Sequence, residues 1–417
     1  MAADTSPRTA ELVLCTPDGR VLGVLPTVPV ATPWWPDVQA VVDAARDAFG
    51  LEVVVLRMLD SERPRPHGGR VTYLAEVVDR LPPTAADAIA PWTGVLDQQP
   101  LRLPWAVPGG PAADVAWAED VLQRRAIERA GPAVQVRSWN LSSIWRLPLA
   151  DGSSAWLKVV PPFFGHEGDV LRRLQADPVP RLLGHDGRRV LLADVDGEDQ
   201  YDAPLPVLER MVDMLVELQA AWVGREAELL AMGLPDWRGP ALSAAIASLV
   251  ERRRAELAPA VVEPLDGFVA GLGGRFAAIA SCGVPDTLVH GDYHPGNLRG
   301  TPFRLTMLDW GDTGVGHPLL DLPAFLGAIP AQAAPVIRDR WIGAWRERLP
   351  GADPSAAAAL LEPVAAARQA VIYQRFLDGI EPVERRHHDA DALDWLERCA
   401  TIVAAEHKRD ERQPSAT

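Results

Sequence analysis

The stretch LVHGDYHPGNL, residues 288–298, alternates His290, Asp292 and His294 and spaces Asp292 from Asn297 as D-x-x-x-x-N. Two chemistries compete for these residues. H-x-D-x-H suggests a metal cage, yet zinc takes three or four His, Cys or carboxylate ligands. Pro295 follows His294 directly, and the next histidine, His317, comes well downstream before Pro318. D-x-x-x-x-N suits phosphoryl transfer instead. That reaction asks for a carboxylate to hold the attacking hydroxyl, hard oxygens to bind magnesium, and a cation on the nucleotide phosphates. Asp292 can accept the hydroxyl proton, and Asn297 offers a neutral amide oxygen to the metal. Asp309, preceded by the apolar run LTML, supplies a second metal-binding acid at a strand end. Two strands flanking the loop would bring Asp292, Asn297 and Asp309 into one pocket.

The ordered set HGDYHPGN, MLDW and GHPLLDL resembles the aminoglycoside phosphotransferase and choline-kinase-like branch of the protein-kinase fold, over roughly residues 132–405. In that resemblance Asp309 stands in the place of the kinase D-F-G aspartate. It implies ATP and magnesium as cofactors, a small-molecule hydroxyl acceptor, and an α+β bilobal fold with a small β-rich lobe and a large helical lobe. His290 then braces the loop, and Asp321 is the buried acid that supports it. Tyr293 and His294 either line the substrate side or face solvent, and Asp312 is a turn residue or a substrate contact. The resemblance also asks for a lysine on a small-lobe strand and a glutamate on the helix after it. Of 41 basic residues only Lys158 and Lys408 are lysines, and Lys158 lies in the apolar strand AWLKVV. A flexible single-point cation suits α/β-phosphate contact, and arginine's planar fork would not substitute freely. Glu167 in GHEGDVLRRL is its expected partner. SWNLSSIW, 138–145, occupies the place of the phosphate-covering loop without its glycines, so Ser142 and Ser143 are the candidate donors. LLADVDG, 191–197, occupies the place of the adenine hinge, which makes Ala193 and Val195 its candidate contacts.

The elements that must position these residues follow from pattern. VQVRSWNLSSIWRLPLADGSSAWLKVV alternates polar and apolar residues around turn signals, as an antiparallel meander does. Two further strands surround Asp186-Gly187, and the chain beyond 205 reads as helical, with Leu208, Met211, Val212, Leu215, Leu218 and Trp222 at helical spacing. The island from Thr287 to Asp312 reads as two short strands around a loop. This divides the kinase-like part into a small lobe, 132–197, and a large lobe, 198–405, with a charged tail at 406–417. Upstream, residues 1–100 read as a small α/β domain: two strands around Pro17-Asp18-Gly19, a helix stopped by Gly50, and the strands LEVVVLRML and RVTYLAEVV. Its order faintly resembles a Nudix domain, but only Asp47 could replace a metal-binding acid of that signature, so a cap or interaction role is expected. The Pro-rich LRLPWAVPGGP and the helix read after it, 101–131, are taken as linker and connection.

Composition narrows the partners. A net charge of −15 argues against nucleic acid. No apolar run reaches the roughly 18 residues of a membrane span. Cys15, Cys282 and Cys399 are far apart, so a reducing cytoplasm is the expected setting. The acceptor pocket is expected in the helical C-terminal region, where Asp378 and Glu381 are candidates for an amine. The oligomeric state and the acceptor are not legible. The alternative is a nucleotide-binding pseudokinase whose N-terminal domain binds a partner.

Overall fold

The computed structural model describes residues 7–65 and 67–412. The fold is α+β and falls into two units. One is the chain up to Gly168 with Arg181–Asp194 and Leu377–His388; the other is Asp169–Pro180 and Val195–Phe376 with the chain from Asp389 onward.

The first unit opens with β1 (Arg8–Cys15), β2 (Val21–Val24), β3 (Val28–Val30), α1 (Gln39–Phe49), β4 (Val53–Ser61), β5 (Gly69–Val77) and α2 (Pro83–Ala88). Gly50 ends α1 at φ 63°, with its N–H on the Arg46 carbonyl. β1 runs parallel to β5 and antiparallel to β2 and β3, and β4 is antiparallel to β5. One set of sheet residues, including Leu12, Leu14, Val55 and Tyr73, packs with Val41, Val42 and Ala45 of α1. Another, Val13, Cys15, Leu56 and Leu74, packs against Trp92 and Leu96. Asp47 is exposed on α1.

The Pro-rich segment is packed rather than bare. Trp105 is buried in a 3-10 turn and donates its Nε1–H to the Trp139 carbonyl at 3.1 Å. The helix expected after it, α3 (Gly110–Arg124), puts Ala118, Val121 and Leu122 into one cluster with Trp145, Leu147 and Leu157. That cluster underlies a second sheet: β6 (Val134–Trp139), β7 (Ser142–Pro148), β8 (Ser154–Val159), β9 (Leu182–His185) and β10 (Arg189–Ala193), in the antiparallel order β6-β7-β8-β10-β9. α4 (Glu167–Arg173) lies between β8 and β9 in the chain. Side chains of β6 tie the two sheets, Ser138 Oγ donating to the Leu56 carbonyl at 3.3 Å. Gln135 of β6 accepts the Val55 N–H at 2.8 Å and donates to the Val55 carbonyl at 2.7 Å, beside the point where β4 slips register against β5.

The second unit contains β11 (Glu198–Asp199), α5 (Leu205–Ala221), α6 (Glu226–Ala231), α7 (Gly239–Arg253), α8 (Pro259–Ser281), β12 (Thr287–Val289), β13 (Leu298–Thr301), β14 (Arg304–Met307), β15 (Gly314–Gly316), α9 (Leu322–Gly327) and α10 (Ala334–Arg348). The island is richer than the two strands expected. β13 and β14 form their own hairpin across Thr301–Arg304, and β15 returns to pair with β12. Runs of three or four residues carry too little period to separate strand from loop. The rest is α11 (Pro354–Gly379), α12 (Pro382–Arg385) within the Leu377–His388 segment of the first unit, and α13 (Asp391–Arg412). Among the described residues no helix is long and apolar enough to cross a membrane, and no group of three His, Cys, Asp or Glu could hold a metal ion. The three cysteines are buried and free.

Candidate active site

In the second unit the loop after β12 is fixed by main-chain hydrogen bonds. Buried Asp321 accepts the N–H of His290 at 3.0 Å and of Gly291 at 2.8 Å, and the Gln219 amide at 2.9 Å. Burial raises its pKa, opposed by His290, Arg368 and these N–H groups. Burial lowers the His290 pKa, so the ring is neutral, and its Nε2 faces the Leu308 carbonyl at 3.0 Å. A neutral imidazole there carries its proton on Nε2 and donates. Gly291 sits at φ 93°, and a Cβ on it would lie 2.1 Å from the Asp312 carbonyl oxygen. Only glycine fits such a turn.

Asp292 follows, partly exposed. Asn297 donates its Nδ2 amide to the Asp292 carbonyl at 2.8 Å and to Asp292 Oδ2 at 3.0 Å. These two acceptors set the orientation of the amide, so Asn297 Oδ1 is the atom left to bind something else. His294 accepts the Gly296 N–H on Nδ1 at 3.1 Å, and its Nε2 lies 3.6 Å from Asp292 Oδ2. The β13–β14 hairpin then closes back: Leu298 pairs with Met307, and the Leu308 N–H reaches the Asn297 carbonyl at 2.8 Å. This brings the exposed Asp309 beside Asn297. Asp309 has φ 59°, a left-handed conformation that aspartate tolerates better than most residues. Asp292, Asn297 and Asp309 are therefore gathered by one loop and one hairpin. Among the described residues neither histidine belongs to a group of three His, Cys, Asp or Glu that could hold a metal ion.

Tyr293 is core. It is fully buried, donates its hydroxyl to the Met211 carbonyl at 2.7 Å, and stacks on Phe325.

In the first unit, Lys158 Nζ is 2.8 Å from Glu167 Oε1, and the Glu167 side chain is almost wholly buried. β8 presents the lysine, and Glu167 is the first residue of α4. Ser142 and Ser143 are buried. Their hydroxyl oxygens accept the indole N–H of Trp139 at 2.9 Å and of Trp145 at 3.0 Å. Between β6 and β7 the Asn140 N–H is bonded to Glu384 Oε2 at 2.8 Å, and the Glu381 N–H to Asn140 Oδ1 at 3.1 Å. Glu381 is itself buried against Arg102 at 2.8 Å, which corrects its expected part in amine binding: its charge is already used. Ala193 ends β10 with its N–H on the Arg181 carbonyl at 2.9 Å. The Val195 carbonyl accepts from Arg299 Nε at 2.8 Å within the second unit.

Several residues of these surroundings escaped pattern reading. Gln219 looks like one more helical residue. Arg368 is buried with Nη1 3.5 Å from the Gly291 carbonyl, and the charges of Asp321, Asp312 and Asp292 oppose the cost of burying it. Tyr201 is 65% exposed, and a Cβ on Gly296 would touch its ring at 2.3 Å. A signal existed only for Tyr201, an aromatic in an otherwise polar turn.

The profile of the phosphotransferase enzyme family matches residues 122–360. Among solved structures the chain is similar to a macrolide 2'-phosphotransferase from Brachybacterium faecium, at 18% identity over 65% of this chain and 96% of that one, with a TM-score of 0.47. It is also similar to a choline/ethanolamine kinase family protein from Mesorhizobium loti, at 16% identity over 69% and 98% of the two chains and a TM-score of 0.48. A third is an ethanolamine kinase from Plasmodium vivax, at 9% identity over 66% and 82% and a TM-score of 0.48. No curated protein matches.

Proposed function

The chain belongs to the phosphotransferase enzyme family and is a small-molecule phosphotransferase; from that premise we propose that it transfers the γ-phosphoryl group of ATP, with magnesium, to a hydroxyl of a small molecule. The observation that carries the proposal is the Asn297–Asp292 pair with Asp309 beside it. Asn297 holds Oδ2 of Asp292, which leaves Oδ1 to accept the hydrogen of the acceptor hydroxyl. As the acceptor oxygen bonds to the γ-phosphorus, the bond to the bridging oxygen breaks, ADP leaves with the electron pair, and the hydroxyl proton passes to Asp292. The donor set fits a hard cation: Asn297 Oδ1 and the Asp309 carboxylate would hold magnesium. Bound there, it supplies positive charge against the phosphate oxygens. Lys158, oriented by Glu167, is assigned to the nucleotide phosphates. Residues 1–100 are assigned the role of a cap or interaction domain.

A coupled ATP-consumption screen over aminoglycosides, amino sugars, sugars and amino-alcohols tests this. Turnover with at least one acceptor is expected, with Asp292→Ala lower by three or more orders of magnitude while still binding ATP. ATP binding without turnover on the whole panel would favour the pseudokinase, and undiminished turnover in Asp292→Ala would remove Asp292 from its role.

A further inference from the structure

A cavity of about 420 Å³ is cut into the N-terminal sheet, lined by residues of β1, β4 and β5, by the Trp92–Arg102 segment and by Glu381–Val383. All belong to the first unit. Its volume is in the range of small-molecule sites, roughly 300–1,000 Å³.

The charges around it are unevenly satisfied. Each acidic side chain that lines it has a partner. Glu11 accepts from Thr72 at 2.9 Å, Asp97 and Glu381 share Arg102 at 2.7 and 2.8 Å, and Asp60 lies 3.7 Å from Arg386. Arg70 and Arg57 form no ion pair among the described residues. Arg70 is exposed at the rim, but Arg57 is only 5% exposed. Among the described residues its one hydrogen bond runs from Nη1 to the Ala106 carbonyl at 2.7 Å, and its Nε is buried without a partner there. Burial and the charge of Arg102 disfavour the Arg57 cation, while Glu381 and Asp97, both bonded to Arg102, favour it from a distance. A buried cation with no ion pair of its own is costly. The natural complement to the open part of a guanidinium fork is a pair of oxygens on a carboxylate or a phosphate.

We propose that this cavity binds a small molecule bearing an oxyanion, a carboxylate or a phosphate, which pairs with Arg57 at the wall and Arg70 at the rim while an apolar part lies on Trp92. This site is separate from phosphotransfer and does not rest on the function proposed above.

The test is titration calorimetry on the full chain with inorganic phosphate and, separately, with succinate. Saturable binding of at least one is expected, and which one identifies the oxyanion. Arg57→Met should weaken it at least tenfold while holding or raising the melting temperature, since an unpaired buried charge is replaced by an apolar chain of similar length. Should Arg57→Met fail to fold, Arg70→Glu, a rim substitution, should weaken binding several-fold. Three results would overturn the proposal: saturation by neither probe, binding unchanged in the Arg57 or Arg70 variant, or binding abolished by Lys158→Ala but kept in Arg57→Met, which would place the anion at the nucleotide site.

Discussion

Asn297 grips Asp292 twice, by its carbonyl and by its carboxylate, so the two polar ends of the loop move as one body. Removing the grip should therefore cost more than a ligand. Asn297→Ala is expected to lower kcat by about two to three orders of magnitude and to raise the magnesium concentration needed for half-maximal rate, because it frees the Asp292 carboxylate and deletes an oxygen donor together. Asp309→Asn should shift the magnesium requirement with a smaller loss in kcat at saturating metal. Rates measured against magnesium concentration check both, and an unmoved metal requirement in either variant contradicts its ligand assignment.

Lys158 and Glu167 meet at 2.8 Å in a mostly buried pair. Arginine in place of the lysine keeps the charge but brings a planar fork of different reach. Lys158→Arg should raise the KM for ATP by about tenfold or more, and Glu167→Gln by less, since the glutamine still orients the ammonium. Steady-state kinetics with nucleotide varied would show it.

Glu384 offers a pH test. Burial raises its pKa to about 8, against the N–H of Asn140, which lowers it. The folded acid keeps its proton to about pH 8, whereas the unfolded chain releases it near 4.3. Between these values the folded state binds more protons, so stability falls as pH rises and levels off above about 8. Glu384→Gln should remove that part of the slope and be relatively more stable at pH 9 than at pH 5, by an amount on the order of a few kcal/mol at most. Melting temperatures of both proteins from pH 5 to 9 decide it; parallel curves would mean that Glu384 ionises normally.

Tyr293 separates packing from substrate contact. Its hydroxyl is spent on the Met211 carbonyl, far inside the core. Tyr293→Phe should destabilise by about 1–2 kcal/mol by leaving that carbonyl unpaired, while the KM for acceptor stays unchanged. A raised acceptor KM at equal stability would return Tyr293 to the substrate side.

The contrast between Asp292 and Tyr293, adjacent in sequence, shows what was legible. The meeting of Asp292 with Asn297 and of Lys158 with Glu167 was readable because the chemistry proposed for them restricts residue type and spacing. The meander and the longer strands were readable because alternation over six or more residues is a strong signal. Tyr293 was not, because a tyrosine in a polar loop looks the same whether its ring turns inward or outward. Gln135 and Gln219 were silent for a related reason: each meets a partner about a hundred or fewer residues away, and no local period records such a meeting. Glu381 misled because an acid beside a helix end looks exposed until the arginine that buries it, Arg102, is known.

The first unit is not a continuous stretch of chain. Its last piece, Leu377–His388, comes after the whole of Val195–Phe376, and it brings Glu384 to Asn140, Glu381 to Arg102, and His387 to Ser61 at 3.0 Å. Synthesis runs in one direction, so the earliest sheets to leave the ribosome wait for nearly the last helix before their polar groups are matched. A nascent chain halted at Phe376 would hold Asn140, Arg102 and Ser61 without these partners. The protein is thus modular in space but not in time: a truncated message, or a gene fragment meant to encode only the N-terminal half, yields an incomplete unit.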